Sequence, residues 1–286
     1  MSAPAFDLQS HSTFSDGELP PEEVVARAAA EGVELLALTD HDTVEGVAAA
    51  QRAAAAHAIR LSPAVEISAV DPLHADFHIL GYEIDAADAS FAERLDAFRA
   101  DRANRVNRMA EQLERLGFAL EAKHLDRGGK PVGRPHLAAA VFEHPANAKR
   151  LDDEGLTHPG AVLEAYLVEG APGFVRRTLP TVPDAIEAIH DAGGVAVWAH
   201  PFWDLDDPRP TLEALERFVA HGIDGVEAFY VTHTAEQTAL LADAADEHGL
   251  LTTGSADFHG PSHRMFNRFR AFELHGREPR LGPIAG

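Results

Sequence analysis

Short apolar runs alternate with helical stretches along most of this chain, and histidine or carboxylate residues repeatedly stand at the ends of the runs. Residues 35–39 form one such run, which follows a helical stretch at residues 21–31 and leads directly into Asp40 and His41. Apolar runs of this length, bounded by turn residues, are typical of buried parallel strands connected by crossover helices. The alternation therefore predicts an α/β fold, arranged as a closed or nearly closed barrel. Barrel enzymes keep their active sites where the strands end.

The alternation breaks in the middle of the chain, where residues 87–173 have helical periodicity and no convincing strand. We therefore predict a barrel domain of residues 1–86 and 174–286, and an inserted helical subdomain of residues 87–173 that overhangs the active site. Helices of the insert are predicted at residues 91–116, 136–143 and 159–168. The barrel's other strands are predicted at residues 61–70, 77–84, 194–200, 223–231 and 250–255, and its other helices at residues 44–58, 182–192, 212–221 and 235–248.

Potential metal ligands cluster at the ends of the strand-like runs. Side chains two positions apart on a strand point to the same face, so Gln9 with His11, and Asp257 with His259, form two pairs. A single histidine at the end of a strand-like run would need no functional explanation, but five of the seventeen histidines lie at such ends. Imidazole and carboxylate together suit Mn, Fe, Zn or Co, and a carboxylate can bridge two ions. The full set predicts a multinuclear metal site formed by His11, Asp16, His41, Glu66, His78, His200, Asp257 and His259.

Composition excludes several classes of protein. The chain has no cysteine, which removes disulfides, thiolate ligands and cysteine nucleophiles, and it has no apolar run of about 18 residues that could span a membrane. Its formal net charge of −22 repels nucleic acid at long range, so a duplex-binding surface is not expected. The N-terminus shows no secretory signal. These features predict a cytoplasmic protein that acts on a small molecule, with a monomer slightly favoured.

Positive charge collects in the predicted insert, where most arginines are expected to form a solvated helix face. Arg134 differs because it lies in Gly133-Arg134-Pro135-His136, a turn that opens a helix. A helix N-terminus and a guanidinium together can bind phosphate. Arg176 and Arg177, where the insert returns to the barrel, are a second candidate for phosphate binding.

Aromatic residues near the predicted ligands have two interpretations. Trp198 lies in the strand before His200 and is expected in the core. Phe202 and Trp203 follow His200 and Pro201 directly, so at the rim of the site they could stack on a nucleobase. His263 is expected in a surface loop.

The ordered motifs resemble the PHP family, the polymerase and histidinol phosphatase group of metal-dependent phosphoesterases. Asp7-Leu8-Gln9-Ser10-His11-Ser12, followed by Ser15-Asp16-Gly17, is similar to the family's opening DLHxHS and SDG. Leu38-Thr39-Asp40-His41-Asp42 is similar to its TDHD, and Glu66, His78, His200 and Asp257-Phe258-His259 fill the remaining positions in order. The resemblance covers nearly the whole chain. It implies a distorted seven-stranded TIM-like β/α barrel with two or three divalent ions, Mn, Fe or Zn.

The resemblance also implies a role for each ligand. Glu66 would bridge two ions, with His11 and Asp257 on the first ion and His78 and His200 on the second. A third ion would be held by Asp16, His41 and His259. Substrate phosphate would be bound by Arg134, His136, Arg177, Thr232 and His233.

The implied reaction is hydrolysis of a small phosphomonoester by a metal-bridging hydroxide held by Glu66, with His233 or His259 as the acid. The insert is similar to that of small bacterial members that act on 3′,5′-bisphosphorylated nucleotides, which indicates such a substrate. The alternatives are 5′-3′ trimming of short oligoribonucleotides and a non-catalytic metal- or nucleotide-binding protein. A histidinol phosphatase fits the insert less well, and nothing in the sequence indicates the carbamylated lysine of an amidohydrolase.

One position departs from the family motif, because residue 9 is glutamine where the motif has histidine. A glutamine carbonyl oxygen is a weaker ligand for these metals than an imidazole nitrogen. Gln9 is therefore expected to be a weak ligand of the first ion, or a hydrogen-bond partner of its ligands.

Overall fold

Seven strands follow one another around a barrel in the order of the sequence. The computed structural model describes residues 4–73, 76–121, 132–176 and 178–286. The barrel closes between its first and last strands, where the Leu8 amide donates to the Gly254 carbonyl and Ser10 forms a parallel bridge with Phe258. The predicted α/β barrel is confirmed. The strands are β1 (Phe6–Asp7), β2 (Leu35–Leu38), β3 (Arg60–Val70), β4 (Asp76–Tyr82), β5 (Val195–Trp198), β6 (Gly225–Tyr230) and β7 (Leu251–Ser255).

Strand β4 departs from the all-parallel arrangement, because it pairs antiparallel with both β3 and β5. Only five residues separate the end of β3 from the start of β4, which is too few for the crossover that parallel strands need. As a result, β4 begins at the barrel end where the other strands finish. His78, the third residue of β4, therefore lies at the same end of the barrel as residues that follow β1, β2, β5 and β7.

The helices match the predicted stretches closely, and several begin with clear sequence signals. Thr181 and Thr234 each accept a hydrogen bond from the backbone amide three residues later, which caps the helix that follows. The helix that begins after Thr234 ends at Gly249, whose φ of 68° suits glycine. The helices are α1 (Pro21–Ala30), α2 (Val47–His57), α3 (Ala89–Arg115), α4 (Arg134–Glu143), α5 (Ala148–Asp153), α6 (Pro159–Val162), α7 (Val182–Asp191), α8 (Pro201–Asp204), α9 (Pro208–Ala220) and α10 (Ala235–His248).

The chain divides into two compact units, one of residues 1–96 with 180–286 and one of residues 97–179. The boundary lies inside α3, later than the predicted start of the insert at residue 87. The first turns of α3 belong to the barrel unit because Arg94 pairs with Glu187 and Asp191 of α7. The position of the insert over the active site stays a prediction.

Each unit has its own apolar core. In the barrel unit, Val24, Leu36 and Phe258 are fully buried in one cluster that joins α1 to the sheet. The second unit packs Met109 and Leu113 of α3 against Leu137 of α4, and its described residues form helices and turns without a strand. Across the described residues, no helix is both long and apolar enough to cross a membrane.

Candidate metal centre

The closed barrel brings the eight predicted ligands together at one end. His11 follows β1, and its backbone amide donates to the Phe258 carbonyl across the barrel seam. His41 follows β2 and forms a parallel bridge with Glu66 of β3. His200 follows β5. The last two, Asp257 and His259, follow β7.

Glu66 lies at the middle of the cluster and contacts a histidine pair through each carboxylate oxygen. Its Oε1 is 2.7 Å from His78 Nδ1 and 3.2 Å from His200 Nε2. Its Oε2 is 3.1 Å from His11 Nε2 and 3.5 Å from His41 Nδ1. The side chain is 1% exposed. A buried carboxylate placed between two pairs of imidazoles is suited to bridge two cations.

The other two carboxylates, Asp16 and Asp257, also contact histidines of the cluster. Asp16 lies 3.4 Å from His11 Nδ1 and 3.6 Å from both His41 Nε2 and His259 Nε2. Asp257 Oδ1 lies 3.2 Å from His11 Nε2. His11, Asp16, His41 and His259 form one group with ligand atoms close enough to share an ion, and His41, Glu66 and His78 form another.

Unpaired buried atoms show that the cluster fits cations. Buried polar atoms in proteins almost always have hydrogen-bond partners, because losing water without replacement is costly. Several ligand atoms here are buried and make no hydrogen bond, although they lie near one another. Two or three cations would bind such atoms together, which no hydrogen-bond donor among the described residues does. These atoms are His11 Nε2, His41 Nδ1, Glu66 Oε2 and Asp257 Oδ1.

The charges of the cluster divide the histidines into two kinds. Burial lowers the pKa of His41 to about 4, so this imidazole is neutral near neutral pH and ready to bind a cation. Burial also opposes the charged form of His200, but the hydrogen bond to Glu66 and the neighbouring carboxylates raise its pKa to about 10. Asp257 and Glu66 likewise raise the pKa of His11. In the absence of cations, His11 and His200 are therefore protonated counter-ions of the carboxylates.

Proton release on metal binding is therefore the expected result near neutral pH. His11 and His200 must each lose a proton before they can bind a cation, so Mn²⁺ should release roughly two protons per protein and bind more tightly as pH rises. The raised pKa of His200 stabilises the ion-free fold fully below the ordinary value of 6.5, and that stabilisation is lost as pH rises through about 10. Calorimetry in two buffers of different ionisation enthalpy measures the release. Binding without proton release would contradict this charge assignment.

Several residues that support the ligands were not predicted from the sequence. Asp40 accepts hydrogen bonds from the Ser12 amide and hydroxyl and from the Ser15 hydroxyl, which ties the loop carrying Asp16 to the end of β2. Tyr230 donates to Asp257 Oδ2 at 2.7 Å, leaving Oδ1 directed at His11. Tyr230 ends a strand-like run, the same signal that identified the ligands.

Glu227 is a second unpredicted group, and it is fully buried in β6. It accepts hydrogen bonds from the His200 amide at 2.9 Å and from the Ser255 hydroxyl at 2.6 Å. Burial raises its pKa to about 7. The sequence signal that could have identified Glu227 is its position as a carboxylate inside the apolar run at residues 223–231. Glu227 fixes the backbone of His200 and the side chain of Ser255.

Gln9 lies beside this network and has one unpaired atom. The Ser255 hydroxyl is 3.4 Å from Gln9 Oε1, while Gln9 Nε2 is buried without a hydrogen bond. Ser255 has a single hydroxyl proton and donates it to Glu227 over the shorter distance. Rotating the amide by 180° would let Nε2 donate to Ser255 and place the carbonyl oxygen in the unpaired position. In that arrangement Gln9 offers an oxygen ligand.

The predicted phosphate-binding residues divide between the two units. His233 is buried in the barrel unit, with its ring 5.4 Å from that of Tyr230, while Thr232 is exposed. Arg134 begins α4 and makes no ion pair among the described residues, and His136 Nδ1 accepts from the Gly133 amide at 2.9 Å. Arg177 lies outside the described residues. The roles of all five stay predictions.

Comparison with known proteins gives consistent results. The family model described as PHP domain matches residues 7–139. A 3′,5′-nucleoside bisphosphate phosphatase of Chromobacterium violaceum is 36% identical over 261 residues, covering 89% of this chain and 87% of the relative. A 5′-3′ exoribonuclease of Haemophilus influenzae is 34% identical over 257 residues, covering 90% of each chain.

Solved structures agree with the fold. An amidohydrolase from Chromobacterium violaceum, with bound sulfate and no metal, superimposes with a TM-score of 0.72 at 33% identity, covering 93% of this chain and 91% of the other. A metal-dependent phosphoesterase candidate from Bifidobacterium adolescentis gives a TM-score of 0.69 at 27% identity, covering 96% and 100%. The similarity therefore extends over both units of the chain.

Proposed function

This chain belongs to the PHP family of metal-dependent phosphoesterases, and from that membership we propose that it removes a phosphate from a 3′,5′-bisphosphorylated nucleotide. The observation that carries the proposal is the contact of both Glu66 oxygens with four histidines, His11, His41, His78 and His200. The similarity to a nucleoside bisphosphate phosphatase supports the choice of substrate.

The ligand atoms support a division into two or three ion positions. Glu66 would be shared between a first position with His11 and Asp257 and a second with His78 and His200. Asp16, His41 and His259 would form the third. Bound Mn, Fe or Zn ions would supply positive charge for the phosphate and a nucleophile from water near neutral pH. Gln9 would add its carbonyl oxygen to the first position.

Hydrogen bonds indicate how two further histidines contribute. His233 Nδ1 lies 3.1 Å from the Ala228 carbonyl, so it carries the ring proton and donates there. Burial lowers the pKa of His233 to about 4, so Nε2 is an acceptor near neutral pH. His259 Nδ1 likewise donates to the Asp257 carbonyl at 2.8 Å, and its Nε2 lies 3.6 Å from Asp16. His233 would therefore position water or a substrate hydroxyl, and His259 would serve as a ligand rather than as the acid.

Two other functions remain as candidates. Similarity to 5′-3′ exoribonucleases of 34 to 36% identity favours trimming of short oligoribonucleotides as the second. The net charge of −22 limits such a substrate to short chains. A non-catalytic metal or nucleotide sensor is the third, and the Gln9 departure is its only support.

The absence of cysteine supports a cytoplasmic setting.

Phosphate release from adenosine 3′,5′-bisphosphate tests the proposal. The purified protein is assayed with added Mn²⁺ and again after chelation, beside AMP, histidinol phosphate and a short RNA. We expect chelator-sensitive release that is fastest with the bisphosphate. Faster cleavage of the RNA would favour the exoribonuclease instead. Bound metal with no turnover on any substrate would overturn both and favour the sensor.

A further inference from the structure

Trp203 presents an aromatic surface to solvent beside the metal centre. It lies in α8, three residues after His200, and is 50% exposed, whereas its neighbour Phe202 is 7% exposed. Burying an indole is strongly favourable, so a half-exposed tryptophan forgoes much of that stabilisation. Among the large apolar side chains of the described residues, only Leu73 is more exposed.

An unbroken series of ring contacts joins Trp203 to the predicted ligands. The Trp203 ring lies 5.5 Å from Phe266, and Phe266 lies 5.4 Å from His259. Phe266 also stacks on His263 at 5.0 Å with an interplanar angle of 11°. The His259 amide donates to the Phe266 carbonyl at 2.9 Å, which holds this loop against the ligand. Ring contacts therefore run from Trp203 through the buried Phe266 to the metal centre.

The loop that carries Phe266 also carries two unpaired cations. Arg264 and Arg268 are exposed, and neither forms an ion pair or hydrogen bond within the described part of the chain. Most arginines of the barrel unit do have partners, and Arg52 on α2 is the other exception. The carboxylate of Glu18 near this loop is already bound by the Ser262 amide and hydroxyl. Arg264 directly follows His263, whose ring lies 5.4 Å from that of His259. In a chain with net charge −22, an unpaired guanidinium at this position favours an anionic ligand.

We propose that Trp203 and Arg264 form a subsite that holds the part of a nucleotide not being hydrolysed, with the buried Phe266 ring supporting Trp203. The nucleobase stacks against the exposed Trp203 ring, and Arg264 binds the second phosphate. Aromatic stacking tolerates any base because every base has a π face, so the subsite selects nucleotides over base-free phosphoesters. The inference rests on the proposed function, because it supplies the specificity of the same centre.

Substitution of Trp203 separates substrate binding from chemistry. Trp203→Ala is expected to raise KM for adenosine 3′,5′-bisphosphate roughly ten- to a hundredfold, with kcat little changed. Kinetics on glycerol 2-phosphate, which has no base, should stay at the wild-type level. Leu73→Ala, which removes another exposed apolar side chain, is the matched control. An equal loss on both substrates would overturn the proposal, because it would indicate a structural role.

Arg264 is tested with a matched control. Arg264→Ala should raise KM for the bisphosphate more than KM for AMP, and should weaken the dependence of KM on salt. Arg52→Ala removes an unpaired arginine elsewhere in the same unit and should change neither constant. If Arg264→Ala and Arg52→Ala behave alike, Arg264 has no place in the subsite.

Intrinsic fluorescence tests binding without hydrolysis. The chain has two tryptophans, and Trp198 is fully buried, so quenching by ligand reports on Trp203. With chelator present, adenosine 3′,5′-bisphosphate should quench the fluorescence and glycerol 2-phosphate should not. Quenching without turnover under any condition would leave the subsite standing while the proposed function fails. Turnover with no quenching and an unchanged KM in Trp203→Ala would refute the subsite alone.

Discussion

Replacing Glu66 by glutamine is expected to lower kcat/KM for the phosphoester substrate by a factor on the order of 10³ or more. The glutamine amide keeps the shape of the side chain, but it offers one weak oxygen ligand in place of a carboxylate that contacts four histidines. Burial alone would raise the pKa of Glu66, yet the surrounding histidines outweigh burial and hold it well below its usual range. The native group is therefore ionised and ready to bind cations.

The Glu66→Gln variant is assayed for activity and for bound metal by elemental analysis, with circular dichroism to check the fold. Glu213→Gln is the control, because Glu213 is an exposed residue of α9 that pairs only with Arg209 among the charged groups described. We expect the control to keep full activity and metal content. A Glu66→Gln protein with full metal content and more than about a tenth of the activity would exclude a bridging role for Glu66.

Addition of Mn²⁺ is expected to raise the melting temperature of the chelated protein by roughly 5–10 °C for each ion position filled well above its Kd. An ion at a hundredfold excess over Kd stabilises the folded state by about 2.7 kcal/mol. For a chain of this size each kcal/mol corresponds to about 2–4 °C. The stability increases because a bound cation gives buried atoms such as His41 Nδ1 and Asp257 Oδ1 the partner that they otherwise lack.

The stabilisation should depend on pH in a defined direction. His11 and His200 are protonated in the ion-free protein and must release their protons, so the Mn²⁺-induced shift should shrink as the solution becomes more acidic. Thermal melts with Mn²⁺ and with chelator, repeated for Glu66→Gln, separate specific binding from general charge screening. Equal shifts in wild type and Glu66→Gln would assign the stabilisation to the acidic surface instead of the centre.

Local sequence patterns were sufficient to predict the fold class and which histidines and carboxylates meet at one end of the barrel. Apolar runs and amphipathic stretches reflect which side chains are buried on folding. This can be predicted from the type and spacing of the residues alone. Histidines and carboxylates at the ends of successive strands must meet once the strands close into a barrel. His11 and His200 are far apart in sequence, yet both contact Glu66 for this reason.

The antiparallel direction of β4 was also partly encoded in the short connection after residue 70, but the apolar pattern alone predicts a strand parallel to the others. Direction decides which end of the barrel His78 occupies, and it follows from the length of the connection rather than from the apolar pattern. The boundary inside α3 was not visible either. A helix continues through it, and tertiary contacts such as the ion pairs of Arg94 with α7 place its first turns in the barrel unit.

By itself, then, the sequence determined a β/α barrel, its family and the chemical nature of the site. Tertiary structure alone decided which oxygen of Glu66 faces which histidine, that Gln9 Nε2 is left without a partner, and that Trp203 is half exposed while Phe202 is buried. The physical reason is that burial periodicity and residue type are properties of a local segment. Hydrogen-bond partners, unpaired atoms and exposed faces depend instead on side chains contributed by distant segments, and these come together only when the barrel closes.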